Sequence, residues 1–387
     1  MVTDDVLGNV RGLLPGLSAA ALATEQCRRL DDSAMDSLIG SGLFRMMLPS
    51  RFAGLESTPL DLFAVIRAVS SACASTGWVA STLCLNTWQV ALFDAAAQEE
   101  VWGRHPDALI ASAYQPVGQL RPDGDHFRLS GSWRYVSGCD HCSWLFAGAL
   151  VLNAAGDPVE HALALVPRAD VTMRPGADCV GLRAAANTDI TIEDVVVPAH
   201  RVYGAKRRAL RESAKGLLAL RPLYRYMVTA MYTTAMTVPL IGAAEGALDH
   251  LTGPGMASRV GRRMLEDESV HTAIARAAYE IDGAILQIER DFSEMDALVA
   301  EARTFPAELR ARVRRDQVLG TELATAAVDR LLRAGGRPCL VPDNPVQRAW
   351  RDIHAGASHR VNEVEYALAM VGRAALGLGT DEGPMFI

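Results

Sequence analysis

The sequence predicts an α+β protein built from three consecutive parts, and three patterns carry that prediction. Apolar residues recur at helical spacing up to about residue 107. Short apolar segments separated by turns follow to about residue 205, and long helical segments fill the rest of the 387 residues. We therefore expect an N-terminal helical domain over 1–107, a middle antiparallel β-domain over 108–205 and a C-terminal four-helix bundle over 206–387.

Helical spacing is clearest at two places in the first part. Met35, Leu38, Ile39 and Leu43 recur three or four residues apart, which is the spacing of one helix face. Pro59 then opens a longer amphipathic segment, because proline is favoured in the first turn of a helix.

In the middle part the period changes to that of strands. A turn at Pro122-Asp-Gly-Asp125 separates two of them, and Gly, Pro and Asp residues separate the others. We predict strands at 108–114, 126–130, 144–152, 161–166, 189–192 and 195–197.

The pattern of the last part predicts an antiparallel bundle of four long helices with short connections. The predicted segments are 222–251, 268–300, 306–334 and 345–377, with an interruption near Ala355-Gly356.

Composition excludes several classes of function. The formal net charge is -7, half of the residues are hydrophobic and 21% are charged, so a nucleic-acid-binding surface is not expected. No export signal and no uninterrupted apolar stretch of about 20 residues is visible. Seven cysteines, an odd number, indicate reduced thiols. We expect a cytoplasmic protein without membrane or nucleic-acid partners.

Neither a metal site nor a dinucleotide-binding site is predicted from short motifs. Cys139 and Cys142 form a C-x-x-C, which suits redox chemistry or half of a zinc site, but no second ligand pair accompanies it and no metal is expected. No G-x-G-x-x-G follows a strand, so NAD(P)H is not expected to bind directly.

Several strings occur in a characteristic order. Gly181-Leu182-Arg183 precedes residues 188–198, and Gly335-Gly336 precedes a helix that carries Arg351-Asp352. Together with the helix–sheet–helix order, these strings resemble the acyl-CoA dehydrogenase superfamily over nearly the whole chain. The resemblance implies that residues 181–198 form the exit of the middle domain and that the Gly335-Gly336 loop and the following helix contact a flavin.

Within that superfamily, four further strings resemble the two-component flavin-dependent hydroxylases of phenols and aromatic polyketides. They are 73–78 (Cys-Ala-Ser-Thr-Gly-Trp), 111–113 (Ala-Ser-Ala), 133–144 and 350–359. The resemblance implies an oxygenase component that takes reduced FMN or FAD from a separate flavin reductase. It would hydroxylate an aromatic small molecule with O2 through a C4a-hydroperoxide, and it would assemble as a homotetramer.

A dehydrogenase of this superfamily needs a carboxylate base, and the sequence lacks one at both family positions. After Asp352 the first position falls at His359 to Val361, and the nearest glutamate is Glu363. On the first bundle helix, Tyr232 lies near the alternative position. Both departures argue against desaturation of an acyl thioester.

The resemblance assigns catalytic candidates residue by residue. Ser137, with Gly138 beside it, would contact the N5 side of the flavin, and Ser112 would make a second contact. His359 would take the proton of a phenol, since a neutral imidazole has a pKa of about 6.5 and phenol one of about 10. The alternatives are that both serines bond to backbone and that His359 is a surface residue at a helix end.

Further cofactor contacts are implied at Arg259, Gly335, Gly336 and His354. Arg259 stands where the family binds the FAD diphosphate, but Arg262 replaces a phenylalanine, which fits reversible uptake of flavin or a preference for FMN. His354 would contact Asp352 or the flavin edge.

Asn86, Trp88 and Tyr232 are the candidates for lining the substrate cavity, besides His359. Asn86 replaces a histidine that related phenol hydroxylases use. Asp140 and His141, read as adjacent strand residues, would point to opposite faces and could not form a dyad, so a structural role is expected.

Three rival functions remain open at the level of the sequence. The first is N-oxygenation of an amine or amino sugar on the same scaffold. The others are acyl-CoA dehydrogenation and a catalytically silent, flavin-binding scaffold.

Overall fold

The computed structural model describes residues 2–185, 188–254 and 266–378, with helices at both ends of the chain and one sheet between them. The helices are α1 (Val2–Cys27), α2 (Asp32–Gly40), α3 (Pro59–Ala72), α4 (Ala74–Val90), α5 (Ala95–Trp102), α6 (Ala205–Glu212), α7 (Ala214–Ala219), α8 (Val228–Thr252), α9 (Glu268–Ala300), α10 (Ala307–Gly335), α11 (Pro345–Ala357) and α12 (Val364–Ala375). The strands are β1 (Ile110–Asp123), β2 (His126–Val136), β3 (Trp144–Leu152), β4 (Pro158–Pro167), β5 (Thr172–Pro175), β6 (Thr188–Pro198) and β7 (Val202–Tyr203).

Helix α3 begins at Pro59, as the sequence predicts. Thr58 and Asp61 form a capping box, in which the Thr58 hydroxyl accepts from the Asp61 N–H and the Asp61 carboxylate accepts from the Thr58 N–H, both at 3.2 Å. The next helix, α4, is buried over its whole length. A helix without an exposed face lies in the interior, and α4 therefore forms one wall of any site between the sheet and the bundle.

The sheet is mixed, so the prediction of an antiparallel middle domain needs one correction. The strand order is β5-β6-β2-β1-β3-β4-β7, and β1 and β3 run parallel while the other neighbouring pairs run antiparallel. The cause is the connection from β2 to β3. It passes through a short 3-10 turn (Cys139–His141) across the end of β1, so that β3 lies on the far side of β1 and parallel to it.

Behind the sheet, α8, α9, α10 and α11 form the predicted bundle, in which α10 packs against α8, α9 and α11. The predicted interruption in the last segment is present slightly later: α11 ends at Ala357 and α12 begins at Val364. A 3-10 turn (Arg360–Asn362) lies between them, with His359 at its start.

The segment after β5 docks on α11. The Leu182 N–H donates to the buried carboxylate of Asp352 at 2.6 Å. A Cβ on Gly181 would lie 2.1 Å from the Arg351 carbonyl oxygen, so only glycine permits this approach. Arg351 pairs with Glu25 of α1 and also donates to the Val180 carbonyl at 2.8 Å. These contacts fix α11, and hence the turn that follows it, relative to the sheet.

Among the described helices, α1 is the one that is long and apolar enough to span a membrane by length and composition alone, over Asp5–Cys27. In the structure its buried residues, which include Val6, Val10 and Leu17, belong to the main hydrophobic core, and α1 packs against α3.

Candidate active site

Ser112 and Ser137 lie opposite each other at the end of the sheet that faces α4. Ser112 is on β1, and Ser137 follows β2 directly and forms an antiparallel bridge with Ser112. Directly opposed residues in such a bridge have Cα atoms about 4.5–5.5 Å apart. Both side chains are buried. The two hydroxyls proposed from the resemblance are therefore neighbours.

Gly138 turns the chain away immediately after Ser137. Its φ of +75° is in the left-handed region that favours glycine. A Cβ there would lie 3.1 Å from Leu83 and 3.3 Å from Val79, both on α4. The glycine thus allows the turn to sit close to α4, and it needs no ligand to explain it.

Trp78 of α4 connects Ser137 to His359. Its indole N–H donates to Ser137 Oγ at 3.2 Å, and its ring meets the His359 ring edge to face with centroids 6.0 Å apart. Three segments that are remote in sequence therefore meet at one indole. From the sequence, Trp78 was expected to be a core residue within the string 73–78, and nothing in that string indicates these two contacts.

His359 is half-buried, and its ring is oriented by its own turn. The Val361 N–H donates to His359 Nδ1 at 3.2 Å. Burial lowers the pKa of His359 to about 4, so the ring is neutral at physiological pH. Because Nδ1 accepts a hydrogen bond, the neutral ring carries its proton on Nε2. Within the part of the chain that the structure describes, no protein group hydrogen-bonds Nε2, which is left for a ligand.

Tyr114 is a site residue that the sequence reasoning missed. It lies two residues after Ser112 on β1, so both side chains share a face of the strand. Its hydroxyl lies 2.7 Å from Asn86 Oδ1 and 2.5 Å from Gln89 Oε1 on α4, and burial raises its pKa well above the usual value. The two-residue spacing from Ser112 was the signal available in the sequence.

The three predicted substrate contacts lie around this tyrosine or behind it. Tyr232 of α8 packs edge-on against Tyr114, with centroids 4.7 Å apart. The Asn86 amide is engaged at both ends, since Nδ2 donates to the Ile110 carbonyl at 2.7 Å and Oδ1 faces Tyr114. Trp88 is completely buried and donates to the Leu223 carbonyl at 2.8 Å, which places it in the core instead of at a cavity wall.

The predicted flavin-loop residues lie far from this cluster within one chain. Gly335 ends α10, 18 residues after Gln317, whose side chain touches the His359 turn. At 1.5 Å per residue that is about 27 Å. Gly336, with a φ of +59°, continues into the next turn. One flavin ring of one chain therefore cannot touch both places. Arg259, like Arg262, lies outside the described residues.

His354 does not contact Asp352, contrary to one of the two expectations for it. Its Nδ1 lies 2.8 Å from the Trp350 carbonyl oxygen, and its ring lies tilted against the Trp350 ring with centroids 4.4 Å apart. On its other side, Nε2 lies 3.6 Å from Asp329 of α10. The cause is helix geometry: residue 354 follows 350 by one turn and shares its face, whereas 352 points elsewhere.

Asp140 and His141 lie on the 3-10 turn and not on a strand, so the argument from opposite strand faces was wrong. His141 Nδ1 lies 3.6 Å from Asp32 Oδ1 at the start of α2, and burial lowers the pKa of His141. Cys139 begins the same turn, and Cys142 follows it. Across the described ranges, no group of three or more His, Cys, Asp or Glu residues is arranged to hold a metal.

Known proteins share the architecture of this chain. A family model described as "Acyl-CoA dehydrogenase, C-terminal domain" matches residues 234–364. The oxygenase subunit HsaA of a flavin-dependent monooxygenase from Mycobacterium tuberculosis is 38% identical over 96% of this chain and 95% of its own.

The chain belongs to the oxygenase components of flavin-dependent monooxygenases. Two more comparisons agree. The oxygenase component of an FADH2-dependent resorcinol hydroxylase from Rhizobium is 32% identical over 96% of this chain and 94% of its own. A crystal structure of 3-HSA hydroxylase from Rhodococcus superposes with a TM-score of 0.92 at 35% identity, covering 96% and 97% of the two chains. The predicted superfamily, the acyl-CoA dehydrogenase fold and the enzyme class are confirmed, and the dehydrogenase and scaffold alternatives fall away.

The residues described above suit the flavin that an oxygenase component uses. Ser112 and Ser137 are buried neighbours, and the Ser112 hydroxyl is also in hydrogen-bond contact with Tyr114. Ser137 Oγ receives one hydrogen bond from Trp78 and retains its own hydrogen and a second lone pair. A flavin edge, which carries both donors and acceptors, matches such a pair.

Proposed function

We propose that this oxygenase component hydroxylates a phenolic aromatic compound, with Ser137 and Ser112 on the flavin side and His359 on the substrate side. The observation that carries the proposal is the position of Trp78 against both Ser137 and His359. A hydroxyl suited to the flavin edge and a neutral imidazole with an unused N–H are thereby held on one indole. We propose that substrate and flavin meet beside this indole.

The reduced flavin, when bound, supplies activated dioxygen for transfer to the ring of the substrate. Ser137 and Ser112 would orient the flavin edge through their hydroxyls. Their burial, together with that of Trp78, would keep bulk water from the reacting atoms. Exclusion of water matters because it suppresses wasteful release of hydrogen peroxide.

The orientation of His359 refines its role. With the proton on Nε2, the ring donates a hydrogen bond to the phenolic oxygen and stabilises negative charge that develops there. To act as the predicted base, the ring must move its proton to Nδ1 and give up the bond from Val361. We therefore propose His359 first as a donor that favours phenolate, and as a base only after that exchange.

The curated relatives support a phenolic substrate by their names, which include resorcinol hydroxylase and p-hydroxyphenylacetate 3-hydroxylase. N-oxygenation of an amine is the second candidate. It requires a free nitrogen lone pair, and a donor at Nε2 of His359 would occupy that lone pair. The orientation of the ring therefore favours phenols.

The test is a product assay with purified protein, a flavin reductase and matched substrates. A phenol, its methyl ether and an amine of equal size would be compared, and hydroxylated product and hydrogen peroxide would be measured together. We expect product from the phenol, and mainly peroxide from the ether and the amine. Equal turnover of phenol and ether would contradict the role of His359, and product from the amine alone would favour the second candidate.

Assembly, compartment and flavin type belong to the same proposal. A two-component system implies a partner reductase. We propose a cytoplasmic homotetramer, supported by exposed apolar side chains on one face of α9, Tyr279 (77% exposed) and Leu286 (63% exposed). Sedimentation equilibrium would test the tetramer. Anaerobic titration with reduced FMN and reduced FAD would show which flavin binds more tightly.

A further inference from the structure

The turn that carries His359 is closed by Asn362. The Asn362 N–H donates to the His359 carbonyl at 2.7 Å, and the His359 N–H donates to the Gly356 carbonyl at 3.1 Å. The Asn362 amide Nδ2 donates to that same Gly356 carbonyl at 2.9 Å. Asn362 therefore bonds to the chain on both sides of His359.

The Asn362 side chain is tied in turn to the bundle. Gln317 of α10 donates from Nε2 to Asn362 Oδ1 at 2.7 Å and lies 2.6 Å from Thr237 Oγ1 of α8. Thr237 and Thr321 lie 3.0 Å apart through their hydroxyls. All four of these side chains are at most 3% exposed. A buried polar network thus joins two bundle helices to the turn.

The amide oxygen of Gln317 accepts a hydrogen bond from a positively charged side chain. Arg314 Nη1 donates to Gln317 Oε1, and Arg314 is itself buried. A positive charge on the amide oxygen polarises the amide and strengthens the donor at Nε2. Each residue therefore donates a hydrogen bond to the next, from Arg314 to Gln317, from Gln317 to Asn362, and from Asn362 to the Gly356 carbonyl beside His359.

Stability alone does not explain why these polar side chains are buried. Buried polar groups contribute little net stability compared with well-packed apolar side chains, and each costs free energy if it loses its partner. What the network does provide is a single geometry for the turn relative to α8 and α10. That geometry determines where the His359 ring meets Trp78.

We propose that Gln317 and Asn362 are positioning residues that hold His359 at the substrate. The inference rests on the proposed function, because it assumes that His359 contacts substrate. Neither residue reaches the Ser112–Ser137 side through any hydrogen bond of the described chain. Their loss should therefore affect the substrate side and spare the uptake of flavin.

Q317E is the sharpest test. A glutamate has the same shape, keeps its contact with Arg314 as an ion pair and so favours folding, but it cannot donate to Asn362 or Thr237. Two oxygens would then face each other at Asn362, whose amide must turn and release the Gly356 carbonyl. T325V is the matched control, because among the described residues the Thr325 hydroxyl bonds only to the Thr321 carbonyl of its own helix.

We expect Q317E to lower the rate of product formation about tenfold and to raise the peroxide fraction, with unchanged binding of reduced flavin. In an H359N background the same change should cost less than about twofold, since residues that act through one another are not additive. An equal loss in both backgrounds, or a similar loss in T325V, would overturn the proposal and leave a structural role.

Crystal structures of wild type and Q317E separate this inference from the proposed function. We expect the His359 ring to leave its place beside Trp78 in Q317E and to keep it in T325V. A ring that stays in place would overturn the inference even if wild type is fully active. If the ring moves but wild type makes no hydroxylated product, the positioning role stands and the proposed function fails.

Discussion

The indole N–H of Trp78 lies 3.2 Å from Ser137 Oγ, and the same ring meets His359 edge to face at 6.0 Å. A hydrogen bond from the indole leaves Ser137 with its own hydrogen to donate, and it fixes the direction of that hydrogen. One side chain of α4 thus relates the flavin side of the proposed site to the substrate side.

Removing that donor should weaken control of the flavin edge. W78F keeps an aromatic side chain but removes the indole N–H that Ser137 accepts from, and we expect the transient species that follows oxygen addition to decay about tenfold faster, with more peroxide. Stopped-flow absorbance measures that decay. W102F is the control, because Trp102 is equally buried and its indole nitrogen has no partner among the described residues. Equal lifetimes in W78F and wild type would contradict the role of this bond.

The role of Gly138 beside Ser137 can be tested by comparing G138A with the same substitution at Gly124. G138A and G124A both place a side chain at positive φ (+75° and +60°), at a cost of about 1–2 kcal/mol each. Only the new Cβ at 138 meets α4, at 3.1 Å from Leu83, whereas the one at 124 meets nothing within 4 Å. We expect the larger loss of stability in G138A by urea unfolding, because its Cβ also meets Leu83, and weaker binding of reduced flavin in G138A alone. Weaker binding in both variants would mean that strain, and not the position of Ser137, is responsible.

The neutral state of the half-buried His359 ring predicts a pH dependence of stability. Its pKa falls from 6.5 to about 4 on folding. Between those values the unfolded chain binds a proton that the folded protein excludes, so wild type loses stability as the pH falls from 6.5 to 4. H359N lacks this contribution and should gain stability relative to wild type between pH 7 and pH 5. Urea midpoints at several pH values measure the difference, and a difference that does not change with pH would show that the ring is not buried and neutral.

Two substitutions of Asp352 should change the stability of the fold in opposite ways. Burial raises its pKa to about 6, while its carboxylate accepts from the Leu182 N–H at 2.6 Å. D352N keeps an acceptor and removes a buried charge, so at pH 7.5 it should be as stable as wild type or more so. D352A leaves the Leu182 N–H unpaired and should cost about 1–3 kcal/mol.

The sign of the pH effect at Asp352 checks the same account. Because its pKa is raised from 3.8 to about 6, wild type binds a proton on folding and gains stability as the pH falls through that window. The advantage of D352N should therefore shrink between pH 7.5 and pH 5 in thermal or urea unfolding. An advantage that grows as the pH falls would contradict a raised pKa.

Much of the fold followed from local patterns. Pro59 specified a helix start, where the structure adds a capping box of Thr58 and Asp61, and long helical periods specified the bundle. The parallel pairing of β1 with β3 could not be predicted, because it depends on a connection of seven residues that crosses the end of β1. Nothing in the strand sequences distinguishes that crossing from a simple hairpin.

The family resemblance predicted which residues form the candidate site, whereas the contacts between those residues became known only from the structure. Ser112, Ser137 and His359 were named in advance, and the structure places them around Trp78. Tyr114 was missed because a tyrosine in a strand is ordinarily a packing residue. The proton on Nε2 of His359 depends on a hydrogen bond from Val361, and the sequence carries no information about it.

The central claim is that this chain stabilises the reaction of reduced flavin with oxygen at the Ser112–Ser137–His359 site. The most direct measurement mixes the anaerobic complex of protein and reduced FMN or FAD with oxygen, with and without a phenol, and follows absorbance in a stopped-flow instrument. The account predicts a transient species absorbing at about 380 nm that outlives the oxidation of free flavin. Oxidation as fast as that of free flavin, without such a species in the presence of either flavin or the phenol, would contradict it.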